Sequence, residues 1–137
     1  MQIQPYLFFN GRCEEALEFY RRALGAEVEQ IVRMKESPDG PPPDLPADWE
    51  NKVMHASFSV QGVQILVSDG MASGEPNFQG FSLAISVPDK AAVDRLFNGL
   101  AEGGQVEMPP GETFWSPRFG MVRDRFGLGW MVMATPQ

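Results

Sequence analysis

Apolar and polar positions alternate with two different periods along this chain, and the same succession of periods occurs twice. Residues 3–69 and residues 80–134 each open with a short apolar run, continue into a helical pattern and return to alternation. The helical patterns end at Gly25 and Gly103, which lie 78 residues apart (103 − 25 = 78). Repetition on this scale predicts two copies of one supersecondary unit, each too small to bury its own faces. The two copies are expected to pack together and to form a cleft where they meet.

The helical periods predict one helix in each copy. In the first, apolar residues spaced three and four apart predict a helix from Arg12 or Cys13 to Leu24. In the second, Asp89 is a suitable N-cap, and the helix is expected to end at Gly103-Gly104. A short apolar run rich in aromatic residues predicts a strand at residues 3–9, and alternation predicts one at residues 80–87. Further strands are expected at residues 27–34, 105–108, 113–123 and 128–134.

The strongest strand signal is a hairpin formed by residues 53–60 and 63–68. Gln61-Gly62 predicts a tight primed turn, which would place Val60 opposite Val63. Alternation then separates a core face from a polar face that meets either solvent or a wet cavity. The core face holds Met54, Ala56, Phe58, Val60, Val63, Ile65 and Val67. The polar face holds His55, Ser57, Ser59, Gln64, Leu66 and Ser68.

Residues 37–51 differ from the rest of the chain, because they contain five prolines. Proline lacks the N–H that a strand needs, so the pattern predicts an irregular surface loop. A loop of this length is either a lid or a disordered segment. Trp49 favours a loop that docks on the protein.

Composition narrows the possible functions. The 137 residues suit one domain, and the net charge of −7 argues against a nucleic-acid-binding surface, which needs a basic patch. We find no apolar run of membrane-spanning length and no signal peptide, so a soluble, cytoplasmic protein that does not contact membranes is expected. The single cysteine, Cys13, excludes an internal disulfide; it is either buried or activated at the helix start.

Several short motifs, in this order and spacing, resemble one known family. They are Pro5-Tyr6-Leu7-Phe8-Phe9-Asn10-Gly11, Glu15-Ala16, Glu18-Phe19-Tyr20, Val53-Met54-His55-Ala56 and residues 124–130, Asp-Arg-Phe-Gly-Leu-Gly-Trp. The chain resembles the vicinal oxygen chelate superfamily (glyoxalase I, bleomycin-resistance proteins, extradiol dioxygenases) and, within it, the PhnB-like branch.

That resemblance implies an α+β fold of two βαβββ modules, residues 1–69 and 80–137 of one domain, forming an open half-barrel with outer helices. It also implies a homodimer. The branch carries a demethylubiquinone-methyltransferase-like name as well, but the sequence has no glycine-rich strand-to-helix loop for a nucleotide-like methyl donor.

Metal-dependent members of the superfamily hold a divalent ion with His, Glu or Gln side chains on the first and last strands of each module. Carried over by position, those places fall at Pro5, Leu66, Ser82 and Met131. None of these side chains is a usual ligand for Mg²⁺, Zn²⁺, Fe²⁺ or Mn²⁺, and methionine sulfur suits Cu(I) instead. The sequence therefore predicts no metal and no other cofactor.

The remaining candidates are side chains expected to face the cleft. His55, the only histidine, is a candidate general base, or else a hydrogen-bonded structural histidine. Trp115 and Arg118 suit stacking or an anionic group, or else core packing and a surface salt bridge. The predicted ligand-binding set is Phe9, His55, Ser57, Gln64, Ser68, Ser82, Trp115, Arg118 and Met131.

Three functions follow as alternatives. The first is a metal-independent protein that binds a small organic molecule of unknown identity in its apolar, aromatic cleft. The second is an enzyme that uses His55 or a metal bound elsewhere. The third is a dimeric module that has no small ligand.

Overall fold

The computed structural model describes residues 1–40, 43–72 and 74–136. The chain divides into two compact units, Met1–Pro76 and Asn77–Gln137. In the described part of the chain, no helix is long and apolar enough to cross a membrane.

The first unit is a mixed four-stranded sheet with one α-helix. The strand order is β1-β4-β3-β2, with β1 parallel to β4 and the other neighbours antiparallel. Two short 3₁₀ helices, Met34–Glu36 and Ala47–Asn51, lie between β2 and β3. The main elements are β1 (Tyr6–Phe8), α1 (Cys13–Leu24), β2 (Glu27–Arg33), β3 (Val53–Val60) and β4 (Val63–Ser68).

The second unit repeats this arrangement. Its strand order is β5-β8-β7-β6, and β5 is parallel to β8 as β1 is to β4. The elements are β5 (Leu83–Val87), α2 (Lys90–Ala101), β6 (Gln105–Gly111), β7 (Phe119–Arg123) and β8 (Gly129–Ala134). The repeat and the α+β fold of two βαβββ modules, which the sequence predicts, are therefore confirmed.

The hairpin of β3 and β4 has the predicted register. Val60 pairs with Val63, and Ser57 pairs with Leu66. Gln61 and Gly62 both have positive φ angles, 51° and 81°, as a primed turn requires. The expected core face is buried only over the middle of the hairpin. Met54 and Val60 are partly exposed, and Val63 is 63% exposed beside the turn.

Four strand predictions need correction. Strand β6 runs on through Pro109 and Pro110, because an edge strand can accept proline where its backbone N–H would face away from the sheet, and its pairing with β7 is irregular there. Residues 113–118 form a turn closed by Thr113 and Ser116, so β7 begins only at Phe119. Strands β1 and β5 are shorter than predicted.

The loop of residues 37–51 is docked at its end. Trp49 is 8% exposed, and its indole lies over Gly11 at the start of α1. The Lys52 ammonium group donates a hydrogen bond to the Gly11 carbonyl at 3.0 Å. The chain just after the loop is therefore also held against the segment that precedes α1. The part of this prediction that concerns residues 41 and 42 lies outside the described residues.

Candidate functional site

The candidate site is the face of the first sheet that points away from α1. Leu7, Phe58 and Val67 are buried on the helix side of the sheet, where Tyr20 stacks on Phe58 at 5.3 Å between ring centroids. Because side chains alternate along a strand, the neighbours of these residues lie on the opposite face. That face, called here the open face of the first unit, carries Tyr6, Phe8, His55, Ser57, Ser59, Gln64, Leu66 and Ser68.

Three aromatic rings form the centre of the open face. The Tyr6 hydroxyl lies 3.0 Å from Nδ1 of His55, a hydrogen-bond distance, and the two ring centroids are 5.8 Å apart. Phe8 stacks on Tyr6 with a centroid distance of 5.1 Å. Tyr6 and Phe8 remain 41% and 53% exposed. This cluster presents both apolar ring faces and a polar pair to solvent.

The electrostatics of this cluster favour a neutral phenol. Partial burial, and secondarily the nearby Cys13, raise the pKa of Tyr6 above its ordinary value. A neutral hydroxyl can donate one hydrogen bond and accept others, so Tyr6 can orient a polar ligand atom or hold one tautomer of His55.

The other predicted residues of the first unit divide into exposed and buried ones. Gln64 is partly exposed and accepts from Gln4 at 2.7 Å. Ser57 and Ser68 are only 5% and 4% exposed, and the Ser68 hydroxyl accepts from Gly70 N. Phe9 is 1% exposed and packs near Tyr20 in the core. Phe9, Ser57 and Ser68 therefore offer a ligand almost no surface.

The predicted residues of the second unit lie in different surroundings. Ser82 is exposed just before β5, and Met131 is partly exposed in β8. Trp115 is 45% exposed and packs edge-on against Phe119. Arg118 donates to Asp94 at 2.6 Å, which is the surface salt bridge that the sequence offered as the alternative to ligand binding.

A surface cavity of about 670 Å³ also lies in this unit, at the start of α2. It is lined by Pro88, Lys90 and Pro117 among others, and it contains none of the predicted residues. Asp89 already caps the helix here, since its carboxylate accepts from Ala92 N at 2.8 Å. We therefore place the candidate site on the open face of the first unit.

The strand register bears on two of the four metal-ligand positions carried over from the superfamily. Tyr6, not Pro5, lies opposite Leu66, and the equivalent partner of Met131 is Ala84. Pro5 and Ser82 precede β1 and β5, whereas Tyr6 and Ala84 lie in the strands. With either choice, the four positions contain no carboxylate or imidazole. Within the described ranges, no three His, Cys, Asp or Glu side chains lie together as a metal site.

Cys13 is a buried residue of the α1 start. Burial, together with the charges of Asp69 and Glu14, raises the pKa of its thiol far above the ordinary value. Of the two predicted alternatives, burial is therefore correct and activation is wrong.

The comparisons with known proteins decide the family. The family model described as 3-demethylubiquinone-9 3-methyltransferase matches residues 1–133. The chain belongs to this family, the PhnB-like family. Protein YjdN of Escherichia coli (strain K12) is 34% identical over 143 residues, which cover 100% of this chain and 97% of YjdN.

Solved structures agree with this assignment. Protein PA1353 of Pseudomonas aeruginosa is 43% identical, with a TM-score of 0.86 over 100% of this chain and 99% of that one. A PhnB protein of Bacillus cereus, described as a 3-demethylubiquinone-9 3-methyltransferase, is 27% identical, with a TM-score of 0.80 over 98% and 100%.

The fold is that of the wider superfamily. A glyoxylase/bleomycin resistance protein/dioxygenase domain of Frankia has a TM-score of 0.67 at 17% identity, over 98% of this PhnB-like chain and 95% of that domain. The predicted superfamily and its PhnB-like branch are confirmed.

The methyltransferase name of the family implies a methyl donor, and we tested whether the strand-to-helix connections could hold one. At the start of α1, the N–H groups of Gly11 and Cys13 already donate to the Asp69 carboxylate, at 2.7 and 2.8 Å. At the start of α2, Asp89 plays the same role. Neither helix start is therefore free to bind the anionic or hydroxyl groups of a nucleotide-like donor, and the residues do not fit it.

Two features are absent from the predicted set, one in the candidate site and one in the second unit. Tyr6 and Phe8 were hidden because four consecutive apolar residues, Tyr6-Leu7-Phe8-Phe9, conceal the alternation of β1. In the second unit, Met108 and Met121 lie on the face of the sheet that points away from α2, called here the open face of the second unit. A strand register is needed to find them, because they lie on different strands.

Proposed function

We propose that this PhnB-like protein binds a small organic molecule without a metal, and that the open face of the first unit contacts the ligand. The main observation behind this proposal is the stacked pair of Tyr6 and Phe8. Both rings are about half exposed, although Leu7, which lies between them in β1, is buried. Exposed stacked aromatic rings beside a polar pair suit a ligand with a flat apolar part and few charges.

The polar atoms near these rings support the same proposal. His55 and Tyr6 form one hydrogen-bonded pair, and Gln64 lies two residues from Leu66 on the same face. A phenol, an imidazole and an amide each donate or accept hydrogen bonds, so these groups can orient a ligand without requiring that it carry a charge. In the second unit, the ligand contacts remain those predicted from the sequence, namely Ser82, Trp115, Arg118 and Met131.

Native mass spectrometry and a fluorescence-based ligand screen test this proposal. The expected result is a co-purified or screened organic ligand whose binding weakens by about tenfold or more in Phe8→Ala, since buried aromatic contacts dominate such sites. Phe114→Ala is the matched control, because Phe114 is 97% exposed in the second unit. An equal loss of ligand binding in both variants, or no loss of binding in Phe8→Ala, would contradict the proposed position of the site.

A second candidate function is supported by the Tyr6–His55 hydrogen bond. A phenol and an imidazole at 3.0 Å can relay a proton, so the pair could serve as a general acid and base in a reaction that needs no metal. We would assay the chelator-treated protein for turnover of candidate substrates and compare His55→Gln with Tyr6→Phe. Turnover that survives unchanged in His55→Gln would exclude this role.

We also propose a homodimer, as the family resemblance implies. Large apolar side chains exposed in the second unit support it, since such surface is usually covered: Phe114 at 97%, Trp115 at 45% and Phe81 at 44%. Sedimentation velocity at micromolar concentration should give twice the chain mass of 15.2 kDa. A single species with the mass of one chain would contradict the dimer.

A further inference from the structure

A row of methionines crosses the open face of the second unit. Met131 of β8 pairs with Met121 of β7, and Met121 pairs with Met108 of β6. On the other side of Met131 the partner is Ala84 of β5, which has a small side chain. Residues that pair across strands have their Cβ atoms about 5 Å apart, so three thioether side chains stand next to one another.

These side chains lie on the face away from α2. Gly120 of β7 faces the helix, because a Cβ atom there would lie 2.8 Å from the ring of Phe97. Val122 and Val132 are fully buried on that same side. Met121 and Met131 therefore point the other way, and both are partly exposed, while Met108 is 41% exposed at the sheet edge.

We propose that Met108, Met121 and Met131 form a site for a soft monovalent metal ion, Cu(I) in the cell, held through their sulfur atoms. Thioethers carry no charge and lose no proton on binding, so they select soft ions and leave hard or borderline divalent ions in water. Unbranched methionine side chains are flexible enough to bring three sulfurs onto one ion. Met133 lies two residues further along the same face, so its thioether is also available to the ion.

The charged groups near the row are accounted for. Arg123 lies two residues from Met121 on the same face, but its guanidinium donates to the carbonyls of Phe78 and Gly127, and Glu107 lies 3.7 Å away. The Glu107 carboxylate, next to Met108 in β6, offsets the positive charge of this guanidinium.

The test uses Ag(I), an air-stable probe for soft-metal sites, and protein labelled at the methionine methyl groups. One equivalent of Ag(I) is expected to shift the NMR signals of Met108, Met121 and Met131 together. Two methionines of the first unit serve as references: Met34, which is 2% exposed, and Met71, which is 60% exposed. Competition with a chromophoric Cu(I) chelator then measures the affinity for Cu(I) itself.

Leucine substitutions decide the outcome, because Met-to-Leu changes nearly conserve volume and keep the fold. The triple variant Met108→Leu, Met121→Leu, Met131→Leu is expected to bind Cu(I) about tenfold or more weakly, and Met71→Leu to bind as the parent does. Cys13→Ala should also leave binding unchanged. Wild-type affinity in the triple variant, loss of binding in Cys13→Ala, or equal shifts of all methionine signals would overturn the proposal. None of these outcomes depends on the organic ligand.

Discussion

Asp69 is a buried carboxylate that joins three separate parts of the first unit. It is 2% exposed, and it accepts from the backbone N–H groups of Gly11, Cys13 and Val53 at 2.7–2.8 Å. It thereby supplies the N-terminal hydrogen bonds of α1 that the N-cap residue Arg12 does not make with its side chain. No local sequence pattern indicates this role, because the partners of Asp69 are as many as 58 residues away.

Substitution of Asp69 by Asn is expected to destabilise the protein by about 3 kcal/mol, since hydrogen bonds to a charged group contribute about 1.5 to 3 kcal/mol each and one amide cannot accept all three. The measurement is urea unfolding followed by circular dichroism. Asp44→Asn is the control, because Asp44 is exposed. A loss of stability no larger than that of the control would show that the three bonds contribute little.

The Cys13 thiol is predicted to be unreactive in the native protein. It is fully buried, and its raised pKa keeps it protonated. At pH 8 a thiol reagent should therefore modify it only after denaturation. Because the unfolded thiol ionises near its ordinary pKa of about 8.5 while the folded one does not, stability should fall as pH rises above that value. Cys13→Ala should remove this part of the pH dependence, and rapid native labelling would disprove the burial argument.

The packing of α2 on its sheet depends on a close approach at Gly120. Substitution by Ala would place Cβ 2.8 Å from Cε2 of Phe97, a buried side chain with little room to move. We expect Gly120→Ala to cost about 1 to 3 kcal/mol, as overpacked cores do. Gly111→Ala in β6 is the matched control, since its Cβ would meet no atom closer than 4.0 Å. Equal melting temperatures for the two variants would refute this explanation.

At the level of elements, the sequence predicted what local chemistry determines. The β3–β4 register followed from Gln61-Gly62, and the start of α2 followed from Asp89, because a turn and a cap act over a few residues. The extent of β6 through Pro109 and Pro110 did not follow, because proline is tolerated only where the strand lies at a sheet edge, and edge position depends on the whole topology.

The candidate site was harder to predict for the same reason. The shared face of His55 and Gln64 was predicted correctly, because a single hairpin sets it, and both side chains are partly exposed. Tyr6 joins that face through the parallel pairing of β1 with β4, which links residues 60 positions apart (66 − 6 = 60). No local pattern encodes such a contact. The methionine row of the second unit similarly exists only across strands.

Over the whole molecule, one topology is used twice with different chemistry on the two open faces. In the first unit, Leu66 pairs across the sheet with the aromatic Tyr6. In the second unit, the equivalent residue Met131 pairs with Ala84 and Met121. The internal repeat therefore constrains the course of the backbone and not the side chains that could bind a ligand. For this reason the family fold alone does not predict a metal-dependent reaction for this chain.

The last prediction concerns divalent ions. Positions equivalent to the metal ligands of the superfamily hold Leu66, Met131 and either Pro5 or Tyr6, with Ser82 or Ala84 in the second unit. A hard or borderline ion there would keep most of its water and gain no protein charge. We therefore expect added Ni²⁺, Zn²⁺ or Mn²⁺ to leave the melting temperature nearly unchanged.

Calorimetry with and without a chelator provides the measurement. An ion present at 100 times its dissociation constant would stabilise the native state by about 2.7 kcal/mol, a shift of several degrees that such an experiment detects easily. His55 does not alter the expectation, because one imidazole falls short of the three or four ligands that zinc takes in proteins. A stoichiometric divalent metal in the purified protein, removed by a chelator with loss of stability, would contradict both this prediction and the proposal of metal-independent ligand binding.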